Sequence, residues 1–300
     1  MAAVRGLCCA VVGGGRRELE AARALVQAGA EVRVSGLPAA EVPGAAARAS
    51  VADAVAGAPV VLLPVRGLGP DGGLPVLCGP PLHFDDAALD AAAGALLLIG
   101  IATPELREAC ARRGIRLHEF RERDEFAIPN AVPTAEGAIG AAIAALDVTV
   151  HGCRAVVIGY GRTGRALARR LRALGAATTV IARRGAARAE AREAGLEAAG
   201  FDALPDALAE SDVIFNTVPA LVLGRPVLAR ARPGTPVFDL ASGAGGTDFV
   251  AARELGLAAQ LLPGLPGRVA PRTAGRILAE TVLRAASDER TPPARPLAGG

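Results

Sequence analysis

Two segments of the chain follow the same plan, in which a buried strand leads into a glycine turn, a helix and a second strand. The first begins with LCCAVV (7–12) and continues through GGG into RRELEAARALVQAGA and EVRVSG. The second begins with CRAVVIGYG (153–161) and continues through RTGRALARRLRALG and ATTVIARR. Continuous apolar strands that alternate with helices are typical of parallel sheets covered on both faces. We therefore predict an α/β fold with two doubly wound Rossmann-like domains, each with a parallel sheet, joined by connector helices.

The domain boundaries follow from the segments around these modules. The N-terminal, substrate-side domain is expected at 1–132 and the dinucleotide-binding domain at 151–270. PTAEGAIGAAIAALDVTVHG lies between them, and because proline is favoured at the start of a helix, we place a connector helix at 133–150. A final helix at 271–287 is expected to return to the first domain. The Pro-rich and Gly-rich residues 288–300 are expected to form a disordered tail.

Composition argues against several classes of function. With 3% aromatic residues, no Trp and a net charge of +3, the chain lacks the stacking residues and basic footprint of a nucleic-acid-binding protein. Apolar runs such as ALLLIGIA (95–102) are too short to cross a bilayer, and the N-terminus does not resemble a signal peptide. The five cysteines lack metal-binding spacing, which indicates buried, reduced thiols and no metal site. We expect a cytoplasmic protein that binds neither nucleic acid nor a membrane.

The glycine turn of the second module has the pattern G-x-G-x-x-G between a strand and a helix, which is the context that this motif requires. The first glycine permits the tight turn, the second lets the backbone approach a pyrophosphate, and the third lets helix and strand pack closely. The motif therefore predicts a dinucleotide site, and the alternative is a Rossmann-like turn that has lost its ligand. The predicted cofactor-binding residues are Gly159, Tyr160, Gly161, Arg162, Thr163, Gly164, Arg183, Arg184, Thr217, Val218, Pro219 and Ser242.

ATTVIARR ends in Arg183 and Arg184, where an NAD-dependent enzyme usually carries an acid that holds the ribose 2′-hydroxyl. A carboxylate repels a 2′-phosphate, whereas guanidinium groups form charge-assisted hydrogen bonds with it. The pair therefore favours NADP over NAD, unless both arginines are merely solvated. The GGGRRE turn at 13–18 lacks the third glycine and a following acid. We interpret it as a turn on the substrate side or a simple tight connection.

Five motifs together resemble one family, the A-subunit of dipicolinate synthase. They are VVGGGRRELE, RERDEFAIPNAVPTAEGAI, GYGRTG, DLASGAGGTDF and PGLPGRVAPRTAGRIL, and they span nearly the whole chain. The chain departs from the family pattern at Gly15, where an acid is usual, and at Pro129, where Tyr is usual.

The resemblance implies an activity and a setting. The activity is the oxidation of dihydrodipicolinate, from the lysine pathway, to dipicolinate (pyridine-2,6-dicarboxylate) in the mother cell of a sporulating bacterium. The resemblance also implies a nicotinamide cofactor and a flavoprotein-like partner, the B-subunit of the synthase, and it leaves a homo-oligomer open.

Aromatising a dihydropyridine dicarboxylate requires a hydride acceptor, a base for a ring proton and cations for two carboxylates. The two parallel N–H donors of an arginine match the two oxygens of a carboxylate. The family motifs contain four arginines, Arg16, Arg17, Arg123 and Arg268, and for each of them the alternative is a solvated side chain on the surface. Backbone N–H groups in the glycine loop after TPVFDLAS are candidates for holding an anion. The predicted substrate-binding residues are Arg16, Arg123, Thr134, Gly245, Gly246 and Arg268.

No catalytic base stands out. Glu136 and His118 are the predicted catalytic residues, but Glu136 alternatively caps the connector helix and His118 alternatively packs within the first domain. We interpret Asp239 and Asp248 as acids that orient the glycine loop.

Two other functions remain open. One is a non-catalytic nucleotide-binding scaffold or regulator of the B-subunit, and the other is a free-standing NAD(P)-dependent 2-hydroxyacid-type dehydrogenase. Those dehydrogenases usually carry a catalytic His with an acid partner near the end of the chain, and this chain has no His after His151.

Overall fold

A computed structural model of the chain describes residues 6–290, which form two α/β units. One unit comprises the described residues up to Ala127 together with those from Ala270 onward, and the other is Ile128–Val269. Of the predicted tail, residues 291–300 lie outside the described range.

The first unit contains a six-stranded parallel sheet and a separate antiparallel pair of strands. Its strands are β1 (Cys8–Val12), β2 (Glu31–Ser35), β3 (Ala45–Ala47), β4 (Val60–Leu62), β5 (Gly73–Leu74), β6 (Leu82–His83), β7 (Leu96–Ile99) and β8 (Arg116–Glu119). Its helices before the unit boundary are α1 (Arg16–Gln27), α2 (Val51–Val55), α3 (Asp86–Ala91) and α4 (Pro104–Arg112). The order in the large sheet is β3-β2-β1-β4-β7-β8, and β5 pairs with β6.

Alternate residues of the central strand β1 enter two separate apolar clusters, as a sheet covered on both faces requires. Cys9 and Val11 join a cluster with the buried side chains of α1, whereas Ala10 and Val12 join a cluster with those of α2, α3 and α4. Because all strands of the sheet are parallel, the turn that follows β1 lies at its carboxyl edge, where sheets of this type bind ligands.

A long helix, α5 (Asp124–Ala145), follows β8, and the boundary between the two units falls within it. It begins before Pro133, where the sequence predicted its start, because Asp124 and Glu125 favour a helix N-terminus in the preceding turn. Although α5 has 22 residues, neither it nor any other helix within residues 6–290 is both long and apolar enough to cross a bilayer.

The earlier start of α5 changes the positions of its polar residues. Pro129 and Pro133 lie inside the helix, where each removes one backbone hydrogen bond. Thr134 and Glu136 consequently lie near its middle, so the alternative interpretation of Glu136 as a capping carboxylate is wrong.

The second unit has one six-stranded sheet, in the order β11-β10-β9-β12-β13-β14, with all neighbours parallel. Its strands are β9 (Arg154–Ile158), β10 (Ala177–Ile181), β11 (Glu197–Ala199), β12 (Val213–Asn216), β13 (Pro236–Asp239) and β14 (Ala258–Leu261). Its helices after α5 are α6 (Arg162–Ala173), α7 (Gly185–Glu193), α8 (Leu204–Ala209), α9 (Arg225–Leu228), α10 (Phe249–Glu254) and α11 (Leu265–Val269). In both sheets the strand order reverses beside the first strand, which confirms the predicted pair of doubly wound Rossmann-like sheets.

The last described helix, α12 (Pro271–Arg290), belongs to the first unit and packs on α1. It contributes Leu278 and Val282 to the same apolar cluster as α1. A Cβ at Gly275 would overlap the side chain of Glu20 and lie 2.7 Å from the backbone nitrogen of Ala21. The missing side chain at this glycine therefore permits the close approach of the two helices.

The five cysteines are free thiols, but they are not all buried as the sequence predicted. Cys78 is exposed and Cys8 is half-buried. Cys78 lies between the short strands β5 and β6, outside the two apolar clusters of the first unit. Burial raises the pKa of the Cys110 and Cys153 thiols, which favours their protonated form.

Gly275→Ala is expected to lower the free energy of unfolding by about 1–3 kcal/mol, because α12 must move away from α1 to make room for the methyl group. Gly140→Ala in α5 is the matched control, since a Cβ there meets no atom within 4 Å, and it is expected to stabilise the helix by up to about 1 kcal/mol. Chemical unfolding followed by circular dichroism measures both. Equal stability of Gly275→Ala and the wild type would contradict this packing.

Candidate functional site

The glycine turn of the second unit lies at the carboxyl ends of β9 and β12, where the strand order reverses. Gly159 has a φ of +94°, in the left-handed region that favours glycine. Its N–H donates to the carbonyl of Ile181 at 2.8 Å. Thr217 donates to the carbonyl of Ile158 from its hydroxyl at 2.8 Å and from its backbone N–H at 2.9 Å. The neighbouring strands β10 and β12 thus hold the turn in place.

The three glycines of this turn are needed for two different reasons. A Cβ at Gly159 would overlap the hydroxyl of Thr217, and a Cβ at Gly164 would overlap the carbonyl oxygen of Gly159, so the fold itself requires both. A Cβ at Gly161 would meet no atom within 4 Å, and its φ of −84° suits any residue. The space above Gly161 is open, as the close approach of a pyrophosphate requires.

The N-terminus of α6 has no counter-charge of its own. Gly161 is its N-cap, no side chain caps the helix, and its first turn contains no acid. Arg162, the first residue of α6, is exposed and adds positive charge. The positive end of the helix dipole is therefore available to an external anion, and the arrangement fits the diphosphate of a dinucleotide.

Arg183 and Arg184 follow β10, and both are exposed. Arg188, one turn into α7, donates to the carbonyls of Ala182 at 3.0 Å and Arg183 at 2.7 Å, and so fixes the backbone of this segment. No acid stands between β10 and α7, where one would hold an NAD ribose. The segment therefore presents positive charge at the carboxyl end of β10.

The remaining predicted cofactor residues have different environments. Thr217 and Val218 border the turn, since a Cβ at Gly159 would lie 3.0 Å from Cγ2 of Val218. Thr163 is half-buried in the first turn of α6, whereas Pro219 after β12 and Ser242 after β13 are exposed.

Tyr160 turns into the protein interior. Its residue surface is only 3% exposed, and its ring belongs to the apolar cluster that contains Leu167 and Phe238. The phenol oxygen has no hydrogen-bond partner among the described residues, and the Arg165 guanidinium lies 5.6 Å from the ring centroid. A contact between Tyr160 and a dinucleotide is therefore limited to its backbone.

Asp239, at the end of β13, is fully buried and organises the glycine loop that follows. Its carboxylate accepts hydrogen bonds from the N–H groups of Ala241 at 2.9 Å and Gly246 at 2.8 Å, the Thr247 hydroxyl at 2.6 Å and the Asn216 amide at 3.0 Å. Because four donors bind this carboxylate, Asp239 has a structural role.

This network corrects one expectation about the glycine loop. The N–H of Gly246 is already used by Asp239, so it is not available to hold an anion. A Cβ at Gly246 would also overlap the carbonyl oxygens of Val218 and Ala220, and one at Gly245 would lie 2.8 Å from the Asp239 carboxylate. Both glycines are therefore needed to pack the loop.

Three predicted substrate or catalytic residues of the second unit lie on α5 and α11. Thr134 donates from its hydroxyl to the carbonyl of Asn130 at 2.9 Å, within α5. Glu136 is exposed and forms a 3.8 Å ion pair with Arg170, at the far end of α6 from the turn. Arg268 is exposed in the last turn of α11. The geometry does not support the catalytic role predicted for Glu136.

The predicted residues of the first unit are also dispersed. His118 is half-buried in β8, paired with Leu98, and Arg123 is exposed, with Nε donating to the Glu119 carbonyl at 3.1 Å. Arg16 is exposed at the start of α1. Because β4 and β7 lie between β1 and β8, the sheet does not bring His118 and Arg16 together.

The glycine turn of the first unit satisfies its own N–H groups. Gly13 and Gly14 donate to backbone carbonyls at 2.9 and 2.6 Å. Gly15 donates to Oε2 of Glu18 at 2.8 Å, so a side chain of α1 occupies the place of an anion at this helix N-terminus. The N–H groups of these three glycines are therefore not available to a second pyrophosphate.

Arg17 is the enclosed arginine of this turn. Only 7% of the surface of Arg17 is accessible to solvent, whereas the neighbouring Arg16 lies on the protein surface. The place of Arg17 on the buried stripe with Ala21 and Leu25, at spacings of four, is the sequence signal that separates the two neighbours. Substrate binding by Arg16 stays a prediction.

Comparison with known proteins identifies the family. Residues 9–121 match the model of the N-terminal domain of the dipicolinate synthase A-subunit, and residues 134–232 match the D-isomer specific 2-hydroxyacid dehydrogenase, NAD binding domain. The dipicolinate synthase A-subunit of Bacillus subtilis (strain 168) is 36% identical over 283 residues, which cover 93% of this chain and 95% of that protein. The chain belongs to the dipicolinate synthase A-subunit family.

Two solved structures agree with this assignment. The crystal structure of the dipicolinate synthase A-subunit from Bacillus halodurans has a TM-score of 0.87 at 34% identity, over 94% of this chain and 98% of that one. Its counterpart from Bacillus subtilis has a TM-score of 0.87 at 35% identity, over 96% and 98%. The resemblance inferred from the five motifs is confirmed, and the second unit is a dehydrogenase-type domain for a nicotinamide cofactor.

Gly161→Ala is expected to weaken NADPH binding at least about tenfold without unfolding the protein, because the methyl group would fill the space that the phosphates need. Gly164→Ala is the contrasting variant and is expected to lower the melting temperature, since its Cβ overlaps the Gly159 carbonyl. Fluorescence titration with NADPH and thermal unfolding separate the two effects. Wild-type affinity in Gly161→Ala would show that the phosphates do not approach this turn.

Proposed function

We propose that this chain is the nucleotide-binding catalytic subunit of dipicolinate synthase, which oxidises dihydrodipicolinate to dipicolinate with NADP as the hydride acceptor. The observation that carries the proposal is the N-terminus of α6, which stands beside an open glycine turn and has no acid of its own. A family member that had become a mere structural component would have no need to keep this turn free of side chains.

The reaction removes a hydride and a proton from the dihydropyridine ring and leaves the aromatic ring with its two carboxylates. A nicotinamide held by the second unit would supply the hydride acceptor. The chain binds the phosphates at Gly161 and the first turn of α6, and it holds the 2′-phosphate with Arg183 and Arg184. Guanidinium groups of the first unit bind the substrate carboxylates.

The setting of the proposed activity follows from the family. The partner is the flavoprotein-like B-subunit, the substrate is a small dicarboxylate, and the reaction takes place in the mother-cell cytoplasm of a sporulating bacterium. A homo-oligomer is compatible with this assignment.

Purified chain and purified B-subunit, each separately and both together, test the catalytic role. We expect formation of pyridine-2,6-dicarboxylate, followed by its ultraviolet absorbance, to require this chain and NADP, and to fall sharply with Gly161→Ala. Product formation at full rate by the B-subunit without this chain would make the chain a nucleotide-bound scaffold or regulator. Oxidation of 2-hydroxy acids by this chain alone would instead favour a free-standing dehydrogenase.

Replacement of both Arg183 and Arg184 by Ser is expected to weaken NADPH binding by more than about tenfold, because the charge-assisted hydrogen bonds to the 2′-phosphate are lost. NADH binding is expected to change by less than about threefold, since its 2′-hydroxyl carries no charge. Arg169→Ser, at an exposed arginine of α6, controls for a general loss of positive charge. A wild-type protein that binds NADH as tightly as NADPH would rule out the assignment to NADP.

A further inference from the structure

Arg17 is a largely buried cation without an ion-pair partner among the described residues. It is 7% exposed, and it forms no hydrogen bond or ion pair with any residue in the range 6–290. The acid whose charge acts on it is its neighbour Glu18. Both carboxylate oxygens of Glu18 are engaged elsewhere, by the N–H groups of Gly15 at 2.8 Å and Val65 at 3.2 Å.

Burial of a charged group without a partner is among the most unfavourable arrangements in a protein interior. Burial lowers the pKa of Arg17, and the charge of Glu18 opposes this shift, but a guanidinium remains protonated in proteins. The Arg17 nitrogens are not among the fully enclosed, unpaired polar atoms of the described residues, so they remain accessible to an anion. Residues whose pKa is shifted by burial are concentrated at functional sites.

The position of Arg17 in the fold is that of a ligand-binding residue. It lies in the first turn of α1, directly after the glycine turn at the carboxyl edge of the sheet, and doubly wound sheets bind ligands at this edge. Glu18 and two carbonyls already occupy the backbone N–H groups of the turn. The N–H groups of Gly13, Gly14 and Gly15 are therefore not available to an anion at this place, whereas the Arg17 guanidinium is.

We propose that Arg17 forms an anion-binding site in the first unit and that its ligand is a carboxylate of the small dicarboxylate substrate. The identity of the ligand rests on the proposed function, whereas the presence of an anion site does not. A guanidinium offers two parallel N–H donors that match the two oxygens of a carboxylate, a geometry that lysine does not provide.

The test compares Arg17→Met with the wild type, using titration calorimetry with pyridine-2,6-dicarboxylate and thermal unfolding with and without this ligand. We expect dicarboxylate binding to weaken about 10-fold to 100-fold, as the loss of hydrogen bonds to a charged group implies. Arg17→Lys is expected to weaken it as well, because the fork is lost. NADPH binding is expected to stay unchanged.

The same variant has a second, opposite effect on stability. Without ligand, Arg17→Met is expected to melt about 2–4 °C above the wild type, because an unpaired buried charge is replaced by an apolar side chain of similar length. Arg276→Met, at an exposed arginine of α12 in the same unit, is the matched control and is expected to change neither measurement.

Several results would overturn the proposal. They are wild-type dicarboxylate affinity in Arg17→Met, a lower melting temperature of that variant with unchanged binding, or loss of binding in Arg16→Met but not in Arg17→Met. Sulfate as a second probe separates the site from the proposed function. Stabilisation by sulfate that requires Arg17, without any by pyridine-2,6-dicarboxylate, would support the anion site and contradict the substrate. A wild-type protein that neither probe stabilises would refute the site.

Discussion

The close contact between α6 and the turn after β9 fixes the geometry of the second unit. Gly164 lies so near the carbonyl of Gly159 that no side chain fits between them, and Thr217 closes the turn from the other side through two hydrogen bonds to Ile158. These contacts hold the N-terminus of α6 at the carboxyl edge of the sheet. The open space above Gly161 exists because the neighbouring glycines are packed against backbone and side chain.

The two glycine turns of the chain show how one local fold serves two purposes. In the second unit, the helix N-terminus has no internal acid and is left for a ligand. In the first unit, Glu18 supplies a carboxylate from within α1 and binds the N–H of Gly15. The sheet order is the same in both, and the first turn of α1 contains an acid whereas that of α6 contains none.

The sequence predicted the features that depend on strong local patterns. Continuous apolar runs predicted β1 and β9, and the glycine spacing predicted the dinucleotide turn. The edge strands β3, β11 and β14 were not predicted, because AAA, EAA and AAQL are short, rich in alanine and only partly buried.

Other features depended on tertiary contacts that a pattern does not contain. Pro133 suits the first turn of a helix, and only the acids upstream indicate that α5 starts at Asp124. From the glycine pattern, the N–H of Gly246 was predicted to be available to an anion. In the structure this N–H donates to the Asp239 carboxylate. The burial of Arg17 but not Arg16 was open to prediction from the four-residue spacing to Ala21 and Leu25, although the adjacent arginines alone do not reveal it.

The return of α12 to the first unit affects the order in which the chain can fold during its synthesis. The second unit is continuous in sequence, whereas the first lacks Leu278 and Val282 of its apolar cluster until the last helix has been made. During synthesis, the second unit is therefore complete before α12, the last helix of the first unit, has been made. Domains generally fold as units as they emerge, so the apolar face of the first unit that α12 covers stays exposed until α12 has been synthesised.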